Sequence, residues 1–252
     1  MKTAAIIQAR MSSSRLPGKS MMRICNKPII EHVFKRVKSC KLIDDVILAT
    51  TTDNSDDVLD EWAQKNTVSC FRGSMDDVLD RFYKTAIFFE VDTIVRITAD
   101  CPLIDPQTID EVITGFRQGD YDLYSLGGTF PDGLDCQVFS FKSALEVAWN
   151  NATLASEREH VCPYIENNPR IFKLGHLEKF FCDSPIRITL DQQEDFDLIN
   201  KIYESLFHSN SLFGIESVIN FLNQNPVLLK INEGIMRNEG YYKSLLDDKK
   251  EN

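Results

Sequence analysis

The chain has 252 residues, 43% of them hydrophobic and 26% charged, and a formal net charge of −10. That length allows one large α/β domain or two smaller ones, and the apolar share supports a real core. The acidic balance argues against nucleic acid or an anionic membrane as main partner, since both need a basic face. A cationic loop within an acidic protein still suits a phosphorylated small molecule.

In chain order, "TAAIIQ" reads as a short buried strand, followed at residues 9–20 by the polar loop "ARMSSSRLPGKS". Its "GKS" ending is that of a P-loop, but the glycine five residues before Gly18 is replaced by Ser13, and no G-x-G-x-x-G is present. A loop with two arginines, a lysine and several serines after a strand would grip a polyanion with side chains as well as backbone N–H groups. "PIIEHVFKRVKSC" places Ile29, Ile30, Val33, Val37 and Cys40 on one helical stripe, with Pro28 suited to the first turn. "DDVILAT" predicts a strand, "DVLDEWAQKN" a helix, "TVSCF" a strand, "DDVLDRFYKTAIFF" a helix and "DTIVRIT" a strand. This alternation predicts a mostly parallel sheet covered on both faces, with ligands at the C-terminal ends of its strands. The loop at residues 9–20 lies at such an end, and so does "ADCPLID".

The second half is less regular. "DGLDCQVFSF" and "PIRITL" predict strands, "QQEDFDLINKIYESLF" a helix, and "SEREHVCPYIENN" a helix that Pro163 should kink or split. The tail has helical potential around "NEGYYKSLLDDKK". Residues 1–225 are read as the main domain and 226–252 as a helical tail on it.

Asp100 follows a strand and precedes Cys101-Pro102. It is either a turn or capping aspartate or a ligand for Mg²⁺, which prefers oxygen donors. Asp191 offers the same alternatives, and the pair is what a metal bridging phosphate oxygens takes from a protein. Asp105 before Pro106 reads as a helix N-cap. The acidic runs "DNSDD" and "MDD" read as helix N-termini. None of His32, His160, His176 and His208 is paired at zinc spacing. The seven cysteines, at 25, 40, 70, 101, 136, 162 and 182, are odd in number, widely spaced and without C-x-x-C. Buried free thiols in a reducing compartment are expected rather than disulfides. The apolar "AAII" is too short for a signal sequence and nothing reaches the length of a membrane span, so a cytoplasmic location is expected.

The loop "ARMSSSRLPGK" resembles the signature loop of sugar-activating cytidylyltransferases, which include the CMP-Kdo and CMP-sialic acid synthetases. "FRGSMDDVLDRF", "RITADCPLID", "EREHVCPYI" and "RITLDQQEDF" are similar to the branch typified by spore coat polysaccharide biosynthesis protein F, as is the tail "INEGIMRNEGYYKSL". The resemblance covers nearly the whole chain. It implies one nucleotidyltransferase domain of Rossmann-like α/β fold, of the nucleotide-diphospho-sugar transferase type, with a mostly parallel sheet between helices. It implies transfer of CMP from CTP to an acceptor oxygen, release of pyrophosphate and dependence on Mg²⁺, with dimers common among such proteins.

Carried over by position, Arg10 and Lys19 contact the triphosphate, Ala9 and Ser12, Ser13, Ser14 and Arg15 line its loop, and Asp100 and Asp191 ligate Mg²⁺. Arg72, Gly73 and Asp77 lie where the family builds part of its nucleotide pocket. Where many relatives read D-T-P-E-D-F, this chain reads Asp191-Gln192-Gln193-Glu194-Asp195-Phe196, without the proline. The acceptor is expected to be an acidic sugar for a cell-surface polysaccharide, bound by Asp132, Asp135, Gln137, Arg158, Glu159 and His160; the alternative for these six is a network of salt bridges and caps. Other functional readings are CTP-dependent activation of a sugar or polyol phosphate, a nucleotide-sugar glycosyltransferase, or an inactive interaction protein. The residues Asp-Cys-Pro at 100–102 provide no D-x-D for a glycosyltransferase, and the retained Arg10, Arg15, Lys19, Asp100 and Asp191 speak against an inactive relative.

Overall fold

Ala4 and Ile6 point to one side of the first strand, Ala5 and Ile7 to the other, and all four are fully buried. Such a strand must be covered on both faces. The computed structural model describes residues 1–181 and 186–251, and in it this strand, β1 (Thr3–Gln8), lies between parallel neighbours. A small hairpin follows, β2 (Arg23–Ile24) with β3 (Lys27–Pro28). Next come α1 (Ile29–Val37), β4 (Asp45–Thr51), α2 (Asp57–Lys65), β5 (Ser69–Gly73), α3 (Val78–Phe88), β6 (Thr93–Thr98) and α4 (Pro106–Gly119). The rest is β7 (Leu123–Thr129), β8 (Gln137–Ser140), α5 (Glu146–Asn151), α6 (Ala155–His160), α7 (Pro163–Glu166), β9 (Leu174–Phe180), α8 (Gln193–Leu206), α9 (Ile215–Gln224) and α10 (Glu239–Glu251).

The seven-stranded sheet runs β5-β4-β1-β6-β8-β7-β9. Among the described residues of this sheet only β8 is antiparallel to its neighbours. Ala5, Ile7, Leu48, Val95 and Ile97 form one core with Ile30, Val33 and Val37 of α1 and Ile109 and Val112 of α4. Ala4, Ile6, Ile47, Ile94, Leu123 and Phe139 form a second with Leu79 and Phe82 of α3 and with Leu145 and Ala148 next to or on α5. From β1 the chain steps outward through β4 to β5 and then returns to the other side as β6. The crevice between the loops after β1 and β6 is therefore the switch point at which such sheets bind ligands.

Local chemistry sets the boundaries. Asp105 caps α4 through Thr108 N at 2.9 Å, with Pro106 in its first turn, as its sequence predicts. Asp77 caps α3 through Asp80 N at 2.8 Å. Four boundaries differ from the expectation. Pro28 precedes α1 as its N-cap, because it is still paired in the hairpin. The segment "SEREHVCPYIENN" divides at Val161, whose φ of 72° is left-handed and strained for a β-branched residue, two residues before the proline. Residues 132–136 precede β8 as a loop. "PIRITL" adds no strand to the sheet: residues 186–190 are extended but form one isolated bridge, Arg187 with Asp132, while Pro185 lies outside the described residues, as does Cys182. This segment instead binds the 132–136 loop, with Asp132 N on Ile186 O at 2.8 Å and Ile188 N on Asp132 O at 2.7 Å. Gly133, at φ 108°, allows the approach, since a Cβ there would meet Thr189 N at 2.6 Å.

The six described cysteines are free thiols. Among the described residues no helix is long and apolar enough to cross a membrane.

Candidate active site

The loop after β1 is held in shape before any ligand arrives. Asp56, fully buried, accepts Met11 N at 2.7 Å and also Thr50 Oγ1, Thr51 N and Thr51 Oγ1. Met11 O in turn accepts Ser13 N and Gly18 N, each at 3.0 Å. Gly18 takes the left-handed conformation, φ 75°, that turns the chain into Lys19. Arg10, Ser12, Ser13, Ser14, Arg15 and Lys19 then line one wall of a cleft of about 1460 Å³. That volume exceeds the usual site for one small ligand and leaves room for two.

Lys19 is the centre of the cleft's chemistry. Its ammonium donates to Asp100 Oδ2 at 2.8 Å, Asp191 Oδ1 at 2.7 Å and Leu190 O at 2.9 Å. The aspartate after β6 and the one before α8, 91 residues apart in sequence, thus meet at one point. Leu190 N donates to Asp100 O at 2.8 Å, which fixes Asp191 beside Asp100. Burial opposes charge on both Asp100 and Lys19, but the contact between them prevails: the Asp100 carboxyl falls to about 2 and the Lys19 ammonium is raised. Neither Asp100 nor Asp191 caps a helix. The start of α8 is closed by Asp195, which accepts Asp191 N and Gln192 N, each at 3.0 Å. Arg187 ties this corner together through Asp195, Asp132 at 2.7 Å and Asp191 at 3.3 Å. The sequence points to Asp195 only through the Gln192-x-x-Asp195 spacing of a capping box, and has no corresponding signal for Arg187.

The far side of the cleft holds Asp132, Asp135, Gln137, Glu159 and His160. Burial and the neighbouring Asp135 push the Asp132 carboxyl up to about 6. Burial also lowers the His160 pKa, despite Glu159 beside it, so the ring is neutral at pH 7. The tail forms the outer wall, where Arg237 lies 3.2 Å from Asp135, Ser244 Oγ donates to Glu159 at 2.7 Å, and Glu239 meets Arg15 at 3.0 Å. α10 packs on α6, and Asp248 accepts Ser156 N at 3.1 Å.

Four of the residues expected at the site lie outside the cleft lining. Arg72 is spent on Thr51 O, Asp53 O and Asp57, Gly73 ends β5, and Asp77 pairs with Arg158. Arg158 also donates to Trp149 O at 2.9 Å, so the Asp77–Arg158 pair braces α3 against α6. Met75, Asp76 and Val78 line the cleft beside them, as does the buried Arg81. No cluster of three or more His, Cys, Asp or Glu side chains is arranged around a metal position among the described residues. The oxygen donors that do converge are the two carboxylates on Lys19.

A family model described as cytidylyltransferase matches residues 4–235. The chain is 38% identical over 239 residues to an uncharacterised protein of Methanocaldococcus jannaschii, covering 93% of this chain and 96% of that one. It is 32% identical over 228 residues to the spore coat polysaccharide biosynthesis protein SpsF of Bacillus subtilis, covering 88% and 94%. The solved structure of a cytidylyltransferase from Leptospira borgpetersenii superposes with a TM-score of 0.86 at 34% identity, covering 94% of this chain and 99% of that one.

Proposed function

This chain belongs to the cytidylyltransferase family of nucleotidyltransferase enzymes, and on that premise we propose that it transfers CMP from CTP to an acidic sugar of the nonulosonic or deoxy-ulosonic type for cell-surface polysaccharide. The observation that carries this reading is the meeting of Asp100 and Asp191 on Lys19, at the end of a cationic loop and in a cleft with room for a second ligand.

An acceptor oxygen attacks the α-phosphorus in line, the bond to the bridging oxygen breaks, and pyrophosphate carries the electron pair away. Arg10, Arg15 and Lys19 face the charge that grows on the departing oxygens. With Lys19, which lies between them here, turned to the phosphates, Asp100 and Asp191 would hold Mg²⁺, which takes one or two protein carboxylates along with phosphate oxygens and water. When bound there, the ion supplies positive charge against the phosphate oxygens. The tail and the 132–137 loop would enclose the acceptor. His160, neutral and on that side, suits the proton released by an attacking hydroxyl.

A melting-temperature screen of CTP, UTP, ATP and GTP with Mg²⁺ tests the nucleotide. At about 100 times its Kd, CTP should add about 2.7 kcal/mol. That is a rise of roughly 5–10 °C for a chain of this size. Equal rises with all four would defeat the cytosine assignment. Pyrophosphate release should then need Mg²⁺ and an acidic sugar together; release with a hexose 1-phosphate instead would favour the sugar-phosphate reading.

Glu239 gives a second expectation. Its carboxylate occupies Arg15, a residue of the triphosphate loop, from the half-exposed start of α10. Exposed pairs contribute about 0.2–1 kcal/mol. Glu239→Gln should therefore tighten CTP by roughly 1.4–5-fold in a calorimetric titration. Weaker binding in the variant would show that Glu239 supports the loop rather than competing with the nucleotide.

A further inference from the structure

Arg96 and Thr98 on β6 extend the row that begins with the buried Ile94, so the face that forms the apolar core lower down becomes the polar floor of the cleft. Gln8 continues the corresponding row on β1, and Gln137 faces Arg96 from β8. Arg96 donates from Nη1 to Gln137 Oε1 at 2.8 Å, and Gln137 passes its own amide to Glu166 at 2.8 Å. The Nε of Arg96 is buried and has no hydrogen-bond partner, and the same holds for Oε1 of Gln8. Among the described residues no carboxylate lies within ion-pair distance of Arg96 or of Arg81, which is held instead on Ser74 O, whereas Arg10, Arg15, Lys19, Arg187 and Arg237 in the same cleft all have one.

A buried donor on a permanent cation does not remain unpaired without cost, and an anion arriving from solvent would remove that cost. The position indicates which ligand brings it. The triphosphate is met by the loop after β1, whereas Arg96 lies lower on the floor, about 7 Å along the strand from Thr98 and next to the His160 and Cys162 side of the cleft. Its direct neighbour Gln137 belongs to the acceptor side.

We propose that Arg96 binds the anionic group of the acceptor, with the Gln137 amide orienting the guanidinium and Gln8 Oε1 accepting from the acceptor's neighbouring hydroxyl. This rests on the acceptor reading above and adds a specificity-determining residue to it. A planar guanidinium fixes an oxyanion in direction as well as in charge, so a neutral sugar of the same shape would be refused.

The test uses the full chain with Arg96→Gln and Arg96→Lys. The probes are Kdo, N-acetylneuraminate, the neutral methyl ester of each, and a hexose 1-phosphate. With an acid that the wild type turns over, Arg96→Gln should raise the acceptor KM roughly 100-fold, the loss of a charged hydrogen-bond pair, while the CTP Kd stays within about threefold. Wild type should prefer the acid over its ester; Arg96→Gln should lose that preference and Arg96→Lys should recover part of it. An unchanged acid-over-ester preference in Arg96→Gln, or equal loss of CTP and acceptor binding in a variant that melts like wild type, would overturn the proposal. Should wild type act on the hexose 1-phosphate and refuse both acids, the acidic-sugar reading fails, and Arg96 is judged separately by whether Arg96→Gln raises the KM for that phosphate.

Discussion

Replacing Lys19 with methionine is expected to lower kcat by about 10²–10³-fold, a loss of roughly 3–4 kcal/mol of transition-state stabilisation. All three ammonium protons are directed at one corner of the cleft, to Asp100, Asp191 and Leu190 O. Methionine keeps the length of the chain and removes every one of these bonds. Two carboxylates would then face each other without the cation between them. A single-turnover measurement of pyrophosphate release at saturating CTP reads this loss directly; wild-type turnover in Lys19→Met would remove Lys19 from the chemistry. A second readout separates charge from shape. In the native protein the Lys19 ammonium holds the Asp100 carboxyl down at about 2, so the stability it contributes is present above pH 4 and is lost as pH falls toward 2. In Lys19→Met the cation that depresses Asp100 is gone, and that acid-side fall in stability should flatten in denaturant titrations with EDTA present.

The corner around Lys19 was largely legible in the sequence because each of its parts follows a segment with a strand-like pattern. A polar loop after "TAAIIQ", an aspartate after "DTIVRIT" and another after "PIRITL" are local signals, and parallel α/β topology carries strand ends to one edge. The third depended on the reading of "PIRITL" as a strand, and the structure uses that segment differently. Its alternating Ile186, Ile188 and Leu190 are buried as the pattern requires, yet the backbone pairs with the 132–136 loop through a glycine that has no Cβ to obstruct it. Asp191 still arrives beside Asp100, through the Leu190 N to Asp100 O bond.

Elements of the other half of the sheet carry weaker patterns. β7 contains Gly127 and Gly128, which lower strand propensity, and β9, at the sheet edge, buries only Gly175, its other residues being half-buried or exposed. α9 is different. Ile215, Val218, Ile219 and Leu222 follow a helical stripe that the sequence displays, and its signal is simply as strong as those of the helices that were predicted. Arg96, Arg81 and Asp56 lie beyond sequence reasoning for a physical reason. Each is a charged residue in or beside an element, where charge normally marks a solvated face, and only the packing shows that Arg81 and Asp56 are buried and that Arg96 points into the cleft.

Substituting Asp195 should produce the largest loss of stability. Its fully buried carboxylate accepts Arg187 Nε and Nη2 and Asn232 Nδ2, each at 2.9 Å, and the backbone N–H groups of Asp191 and Gln192. One side chain thereby caps α8, anchors the tail at Asn232 and neutralises an arginine that the fold has already taken out of water. Losing a helix cap costs about 1 kcal/mol. Breaking a buried ion pair from one side costs about 3–5 kcal/mol. Arg187 keeps Asp132 and Asp191, so the lower part of that range applies, and Asp195→Ala should lose about 4 kcal/mol in all. For a chain of this size the melting temperature would fall by roughly 8–16 °C. Asp195→Asn can still accept the two backbone N–H groups but lacks the charge, and should lose about half as much. The contrast between these variants depends on pH with a definite sign. Burial resists charging Asp195, but the bonds from Arg187 and Asn232 outweigh it and hold its pKa below the ordinary value. The stability it contributes is therefore present above pH 4 and is lost as pH falls below that, so wild type and Asp195→Asn should converge in acid. A gap that stays constant from pH 7 to pH 3 would mean that Asp195 acts through the cap alone. Turnover should follow stability for one further reason: freed from Asp195, Arg187 competes with Lys19 for Asp191, and Asp100 and Asp191 lose the common point that the native corner gives them.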